Sequence, residues 1–442
     1  FDTEKEWDQY FNRQYHGRKF QRNDSIELQQ VVFGWHPYWM GSSYLNYDFS
    51  LLSDIAYFSY EVNPETGTYY SIHQWETTEL IPLAFSAGVR VSLTATLFGN
   101  HGQLLENPES SQRLIDSLIA LVSRRNAQGI NIDFEAMSAS QRENFTLFIA
   151  NLSAQLHDEI ENSVLSIAVP AIDWSDAFDI EALKTLVDYF LIMGYDFHWQ
   201  SAPEAGPVAP KNSGTLWDAL DVTRSVIDYL DKGMPAGKTC LAVPYYGYEW
   251  PTACNDLNSP TQGNGSAKIY KTAIQNAGFY GYHWDDHSST PYYMHQNGTQ
   301  WRQGWFDDTR SLGYKYDLVN MKELAGIGIW ALGYDDGRNE LWELLGQKFT
   351  NQPFSDCTGL FYDMGGPHGD YFNNEDYIFT IQPENPDTLV LDFQEFDLGF
   401  DADTLFLYDG DTAENAPTGI FTGNEIPEDI YYSASGKFTF HF

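Results

Sequence analysis

Hydrophobic and polar positions along the chain repeat in a fixed order: a short apolar run, a turn-rich stretch, an amphipathic stretch, then the next apolar run. The apolar runs read as strands in "QQVVFGWHPYW", "DIAYFSYEV", "GVRVSLTATLF", "GINIDFEAM", "SVLSIAVPAIDW", "LVDYFLIMGYDFHW", "TCLAVPYYGYEW" and "LAGIGIWALGYDDG". Helical patterns such as "SSQRLIDSLIALVSRRN", "RENFTLFIANLSAQLHDEI" and "SLGYKYDLVNMKEL" separate most of them. Eight strand–helix repeats over roughly 320 residues predict an α/β fold, a (β/α)8 TIM barrel. The barrel is expected over 30–350, with a small β insertion between strands seven and eight at about 251–320. Residues 1–29 read as an acidic, partly helical extension of unknown use. From 353 to 442 the helices give way to Gly/Asp-rich turns between alternating strands ("DYIFTIQP", "TLVLDFQEFDL", "DTLFLYDG", "GKFTFHF"). That pattern predicts an all-β sandwich, which stops on a strand and so reads as incomplete.

The fourth strand is unusual. In "GINIDFE" the alternation places Ile130, Ile132 and Phe134 on one face and Asn131, Asp133 and Glu135 on the other. A parallel barrel carries its site at the C-terminal ends of its strands. The polar face therefore points into the barrel, with Glu135 nearest the mouth. Carboxylates at i and i+2 on one strand lie about 7 Å apart, and their like charges raise the proton affinity of one. A general acid at neutral pH needs such a group, and Glu135 is the natural proton donor to a leaving oxygen. Asp133, deeper, is better placed to hold something than to attack it. The plainer alternative is that both carboxylates pair with cations at the rim, but few Lys or Arg stand at the other strand ends. Spacing leaves retention and inversion both open.

Charge narrows the partners. The chain holds 24 Lys plus Arg against 62 Asp plus Glu, a net charge of −38. Phosphate backbones would be repelled, so no nucleic-acid partner is expected. No run of about 18 apolar residues suggests a membrane span. Phe1 opens the chain without a leader, as a trimmed or mature protein would. Aromatics reach 16% and cluster in "WHPYW", "YDFHW", "VPYYGYEW" and "FYGYHW". They fill cores, and their flat faces also stack on sugar rings, so a carbohydrate cleft is a candidate. Of three cysteines, Cys240 and Cys254 flank a strand expected to reach about Tyr248, roughly 26 Å long, so no bridge between them is expected.

Four of these stretches carry a family resemblance. "GINIDFE", "MGYD" (Met193 to Asp196), "VPYYGYEW" and "GIGIWALGYDDG" arrive in the order of glycoside hydrolase family 18, the chitinase-like barrels, and the likeness spans about residues 31 to 348. The resemblance implies that Glu135 is the general acid/base. Asp133 would orient the substrate's N-acetyl group, whose own oxygen attacks the anomeric carbon, and Tyr195 would hydrogen-bond that acetamido group. Asn131, Met193, Asp196, Tyr245, Tyr246, Trp35 and Phe58 are the further expected substrate contacts, with Trp330 as the floor beneath the −1 sugar. No second protein nucleophile is needed, because the substrate supplies it.

Two positions depart from the family strand. Gln128 stands where its first Asp is expected and Asn131 where its middle Asp is. The second change removes a negative charge beneath Asp133, which should let Asp133 ionise more readily. The implied substrate is a β-1,4-linked N-acetylglucosamine polymer, chitin first, with peptidoglycan and N-glycan cores as alternatives and a sugar-binding barrel without turnover as the non-catalytic one. Endo and exo action both remain open. No cofactor is implied for catalysis.

"CTGLFYDMGGPHGDYFNNEDYIFTI" with "LDFQEFDLGFDADTLFLYDG" resembles a CUB domain. That resemblance implies a candidate Ca²⁺ position at Asp403, with Gly399 standing where the family has Glu, and a role in adhesion or targeting. Together these traits point to a secreted or cell-surface bacterial protein.

Overall fold

The computed structural model describes residues 1–13, 26–217 and 219–350 and, further on, 361, 363, 371, 378–381, 383, 388–398, 403–413, 416–427 and 429–442. The chain divides into two units, Phe1–Thr350 and Asn351–Phe442.

In the first unit eight parallel strands close on themselves. In chain order they are Val31–Pro37, Asp54–Val62, Arg90–Leu97, Gly129–Phe134, Val164–Pro170, Tyr189–Met193, Thr239–Pro244 and Gly326–Trp330. Each pairs with the next, and the first pairs with both the second and the eighth. The (β/α)8 barrel with an insertion before its last strand is therefore present. Buried on both faces, these strands read in sequence as nearly unbroken apolar runs. On the fourth strand Phe134 turns outward against Phe148 of the helix Arg142–Glu159, rings stacked at 5.9 Å. Asn131 and Asp133 turn inward. The alternation in the sequence is thus the in–out alternation of a barrel wall.

The seventh strand is shorter than its apolar run. Tyr245 donates its backbone N–H to Trp330 O at 2.7 Å, and the chain then leaves the barrel. Tyr246–Thr252 joins a separate antiparallel sheet with Ser266–Ile269, Gln300–Trp305, Thr290–Asn297 and His283–Asp285. The insertion accordingly starts at Tyr246, a few residues earlier than its turn residues indicate, and Thr309–Met321 already belongs to a barrel helix. Cys240 lies in the barrel wall and Cys254 beyond the first insertion strand, and both thiols are free. Cys357 lies outside the described residues. No helix among the described residues is long and apolar enough to cross a membrane.

The second unit contains a four-stranded antiparallel sheet (Ile378–Ile381, Phe438–His441, Leu405–Asp409, Gly419–Phe421) and a strand pair (Leu389–Leu391, Tyr431–Ser433). Its core gathers Leu407, Phe421, Phe438 and Phe440. Much of the "CTGLFYDMGGPHGDYFNNED" stretch lies outside the described residues.

Removing the outward Phe134 ring leaves a cavity between the barrel wall and its helix. Phe134→Ala is expected to destabilise the barrel by about 3–5 kcal/mol, read as a shift in the denaturant midpoint. A cost under about 1 kcal/mol would contradict this packing.

Candidate active site

The mouth of the barrel is a cleft of about 920 Å³, with the inward side of the fourth strand at its base. The strand ends at Phe134, and Ala136 at φ +54 turns the chain away, so Glu135 stands at the rim with its N–H bonded to Leu97 O at 3.0 Å. Beneath it Asp133 is buried, and its Oδ1 has no hydrogen-bond partner among the described residues. The sixth strand ends at Met193, and the following turn places Tyr195 and Asp196 at the cleft, Asp196 in the left-handed region at φ +60. The Tyr246 hydroxyl donates to Asp196 Oδ1. The Tyr246 ring meets Tyr195 edge-on at 6.0 Å.

Trp330 closes the eighth strand and is braced by three aromatic edges: Phe58 at 4.8 Å, Trp35 at 6.1 Å and Trp39 at 6.2 Å. Those contacts fix the plane of the indole, which lines the cleft. Trp35 is anchored in turn by its Nε1–H, which donates to Asn131 Oδ1 at 2.9 Å. The Thr94 hydroxyl also donates to Asn131 Oδ1, at 3.2 Å, and Asn131 Nδ2 donates to Ser166 Oγ at 2.9 Å. Asn131 thus ties four strands in a buried polar layer and does not reach the cleft.

The electrostatics are those of crowded acids. Burial first, and then the Glu135 charge, push the Asp133 carboxyl well above its ordinary range. Burial and the Asp196 charge raise Glu135, and burial raises Asp196 against the lowering effect of its bond from Tyr246. The Tyr195 phenol is pushed up by burial and then by Asp133, Glu135 and Asp196, so it stays a proton donor. No Lys, Arg or His is among the described residues lining the cleft. With Asn131 neutral beneath it, burial is the largest influence on Asp133.

Of the residues singled out in the sequence, Glu135, Asp133, Tyr195, Asp196, Met193, Tyr246, Trp330, Trp35 and Phe58 line this one cleft. Two do not. Asn131 lies in the layer below, and Tyr245 is buried behind the wall, with its hydroxyl 3.2 Å from that of Tyr316. The barrel strand ends at Pro244 and Tyr246 opens a strand of the insertion sheet, so Tyr245 and Tyr246 are carried to different sides. The cleft also takes in Tyr38, Trp39, Glu61, Phe98, Tyr248 and Tyr334, which were not singled out. For the first two the "WHPYW" cluster carried the available signal, and for Tyr248 the "VPYYGYEW" cluster did. In the second unit Asp403 accepts a hydrogen bond from the Tyr371 hydroxyl at 2.7 Å. Among the described residues no three His, Cys, Asp or Glu gather as metal ligands, and 399–402, beside Asp403, lie outside them.

Comparison with known proteins gives this cleft a family. The sequence profile of Glycosyl hydrolases family 18 matches residues 33–335, and that of the CUB domain matches 350–442. A Bacillus subtilis protein named as a sporulation-specific glycosylase is 32% identical over 249 residues, covering 53% of this chain and 54% of its own length. The chain therefore spans about half the length of that relative. The cortical fragment-lytic enzyme of Bacillus anthracis is 24% identical over 318 residues, 68% of each chain. Among solved structures, the family 18 chitinase of Cycas revoluta in complex with (GlcNAc)3 superposes with a TM-score of 0.64 at 21% identity, over 72% of this chain and 98% of that one. The Bacillus cereus spore cortex-lytic enzyme gives 0.61 at 20%, over 72% and 74%. At such identities the superpositions speak for the fold alone.

Asp133 supplies a test of these electrostatics. Its raised value means that the folded protein keeps a proton which the unfolded chain releases near the ordinary 3.8. The resulting stabilisation is full below that pH and is lost as pH rises through the raised value. Asp133→Asn should therefore raise Tm relative to the parent at pH 8 and leave it nearly unchanged at about pH 3.5. A variant less stable than the parent at pH 8 would show that a partner holds the carboxylate. Profile, barrel and cleft agree: the chain belongs to glycoside hydrolase family 18, followed by a CUB domain.

Proposed function

We propose that this glycosidase hydrolyses β-1,4-linked chains of N-acetylglucosamine with retention, using the substrate's own acetamido oxygen as nucleophile. The observation that carries the reading is the carboxyl at the rim, Glu135, with its raised proton affinity, beside Asp133 and Tyr195 at the indole of Trp330. With a sugar on Trp330, Glu135 gives its proton to the leaving glycosidic oxygen as the acetamido oxygen closes on C1 to form an oxazolinium. Asp133 accepts the acetamido N–H and the Tyr195 hydroxyl donates to its oxygen. Water then attacks C1, and the Glu135 carboxylate takes the proton from that water. With carboxylates and no described cation lining the cleft, an uncharged chain such as chitin is favoured over glycans bearing carboxylates.

A second substrate, the N-acetylglucosamine linkages of a peptidoglycan, is favoured by likeness to cortical fragment-lytic enzymes. Either polymer lies outside the cell, where the CUB unit would serve adhesion or targeting. Chitin oligomers and cell-wall fragments assayed side by side separate the two substrates.

Reducing-end release from N-acetylglucosamine oligomers is expected from the parent, with the β anomer formed first by proton NMR. Glu135→Gln should lower kcat by about 10²–10⁴-fold while oligomer binding persists. First appearance of the α anomer would exclude the substrate-assisted route. A parent that binds oligomers without turnover would leave a lectin. The raised proton affinity of Glu135 also fixes the basic limb: kcat/KM is expected to hold above the ordinary 4.5 and to fall as pH rises through the raised value.

A further inference from the structure

Residues 1–13 put no side chain into the cleft, yet they are fastened to the segment that does. The helix Glu4–Tyr10 has seven residues, opens with a Thr3–Glu6 capping box and buries none of its side chains fully. A helix this short has little stability of its own, so its neighbours hold it.

Those neighbours follow the first barrel strand. The Ser42 N–H donates to Asp8 Oδ1 at 3.1 Å. Glu4 accepts the Tyr44 hydroxyl at 2.7 Å and, from a second loop, the Thr78 hydroxyl at 2.5 Å. Arg13 Nη1 donates to the Trp39 carbonyl at 3.0 Å. Gly41 sits at the centre with φ +52, and a Cβ there would lie 2.2 Å from Asp8 Oδ1. The loop therefore has the shape that admits the helix.

The braced residues are cleft residues. The Trp7 ring meets Tyr38 edge-on at 5.5 Å, and His73 stacks on Tyr38 with centroids 3.3 Å apart. His73 Nε2 also lies 2.8 Å from Glu61 Oε1. Tyr38, Trp39 and Glu61 all line the cleft, and Trp39 leans on Phe58 at 5.9 Å as well as on Trp330. Contacts thus run unbroken from the helix through Tyr38 and Trp39 to the indole at the base.

We infer that the N-terminal segment is a positioning element of the cleft: Glu4, Asp8 and Arg13 hold the loop bearing Tyr38 and Trp39, and so set the affinity for sugar units beyond the one on Trp330. The inference rests on the proposed glycan substrate. The three residues do not line the cleft and act through that loop, Glu4 holding the Thr78 loop as well.

The test uses the full chain with Glu4→Ala/Asp8→Ala, with Arg13→Ala, and with the near-isosteric Glu4→Gln/Asp8→Asn, on (GlcNAc)6 and on a two-unit chromogenic glycoside. The alanine variants are expected to raise KM for the hexamer about tenfold, with kcat within about twofold and the short substrate unaffected. The amide variant keeps an acceptor oxygen for Ser42 and one for either Tyr44 or Thr78, and should recover part of the loss. An unchanged hexamer KM, or equal losses on both substrates, overturns the inference. A parent without turnover would instead count against the proposed function. The positioning role is then read from calorimetric binding of (GlcNAc)6 against (GlcNAc)2, where the alanine variants must still lose affinity for the longer chain alone.

Discussion

Burial of three carboxyls together in one cleft, with the charge of a neighbour added for Asp133 and Glu135, is the constraint on which the rest of this site depends. Asp133, Glu135 and Asp196 face one another where burial has stripped away water and where no described cleft-lining residue is cationic. Full ionisation of all three is costly in such a place, so the site holds protons that exposed acids would release. A held proton is what a leaving oxygen requires of a general acid. The surrounding parts have the same logic. Tyr195 stays protonated among negative neighbours, Asn131 is neutral and fully bonded beneath Asp133, and three aromatic edges fix Trp330.

Much of this was legible in the sequence because its physics is local. The period-two alternation of "GINIDFE" gives the in–out sense of the fourth strand, and the order of apolar runs gives the barrel. Glu135, Asp133, Tyr195 and Trp330 follow once the C-terminal strand ends are taken as the mouth. Local pattern failed where tertiary contacts decide. "TCLAVPYYGYEW" reads as one strand, but the Tyr245 N–H makes the last bond to the neighbouring eighth strand, at Trp330 O, and the next residues pair with the insertion. Tyr245 is carried behind the wall and Tyr246 into the cleft. Asn131 looked like a cleft residue by alternation alone. Its distance from the mouth depends on the barrel's depth, which a strand pattern does not contain.

Glu61, Phe98, Tyr248 and Tyr334 enter the cleft from four separate stretches, and no spacing rule links them. The N-terminal segment is the extreme case. It reads as an acidic, partly helical extension of unknown use, yet Glu4 and Asp8 act as hydrogen-bond acceptors for the loops around the mouth. Acceptors of that kind leave no periodic trace. The glycine that accommodates them, Gly41, has a reason only once the helix is seen beside it.

The most direct test of the account is a carboxyl titration of the full chain by carbon-13 NMR, with Glu135 assigned by its loss in Glu135→Gln. The account predicts that Glu135 binds its proton with an apparent pKa above the ordinary 4.5, and that the value falls toward it when Asp196 is changed to Asn. A Glu135 carboxyl titrating at or below 4.5, indifferent to Asp196, would contradict it and remove the proton donor on which the proposed chemistry rests.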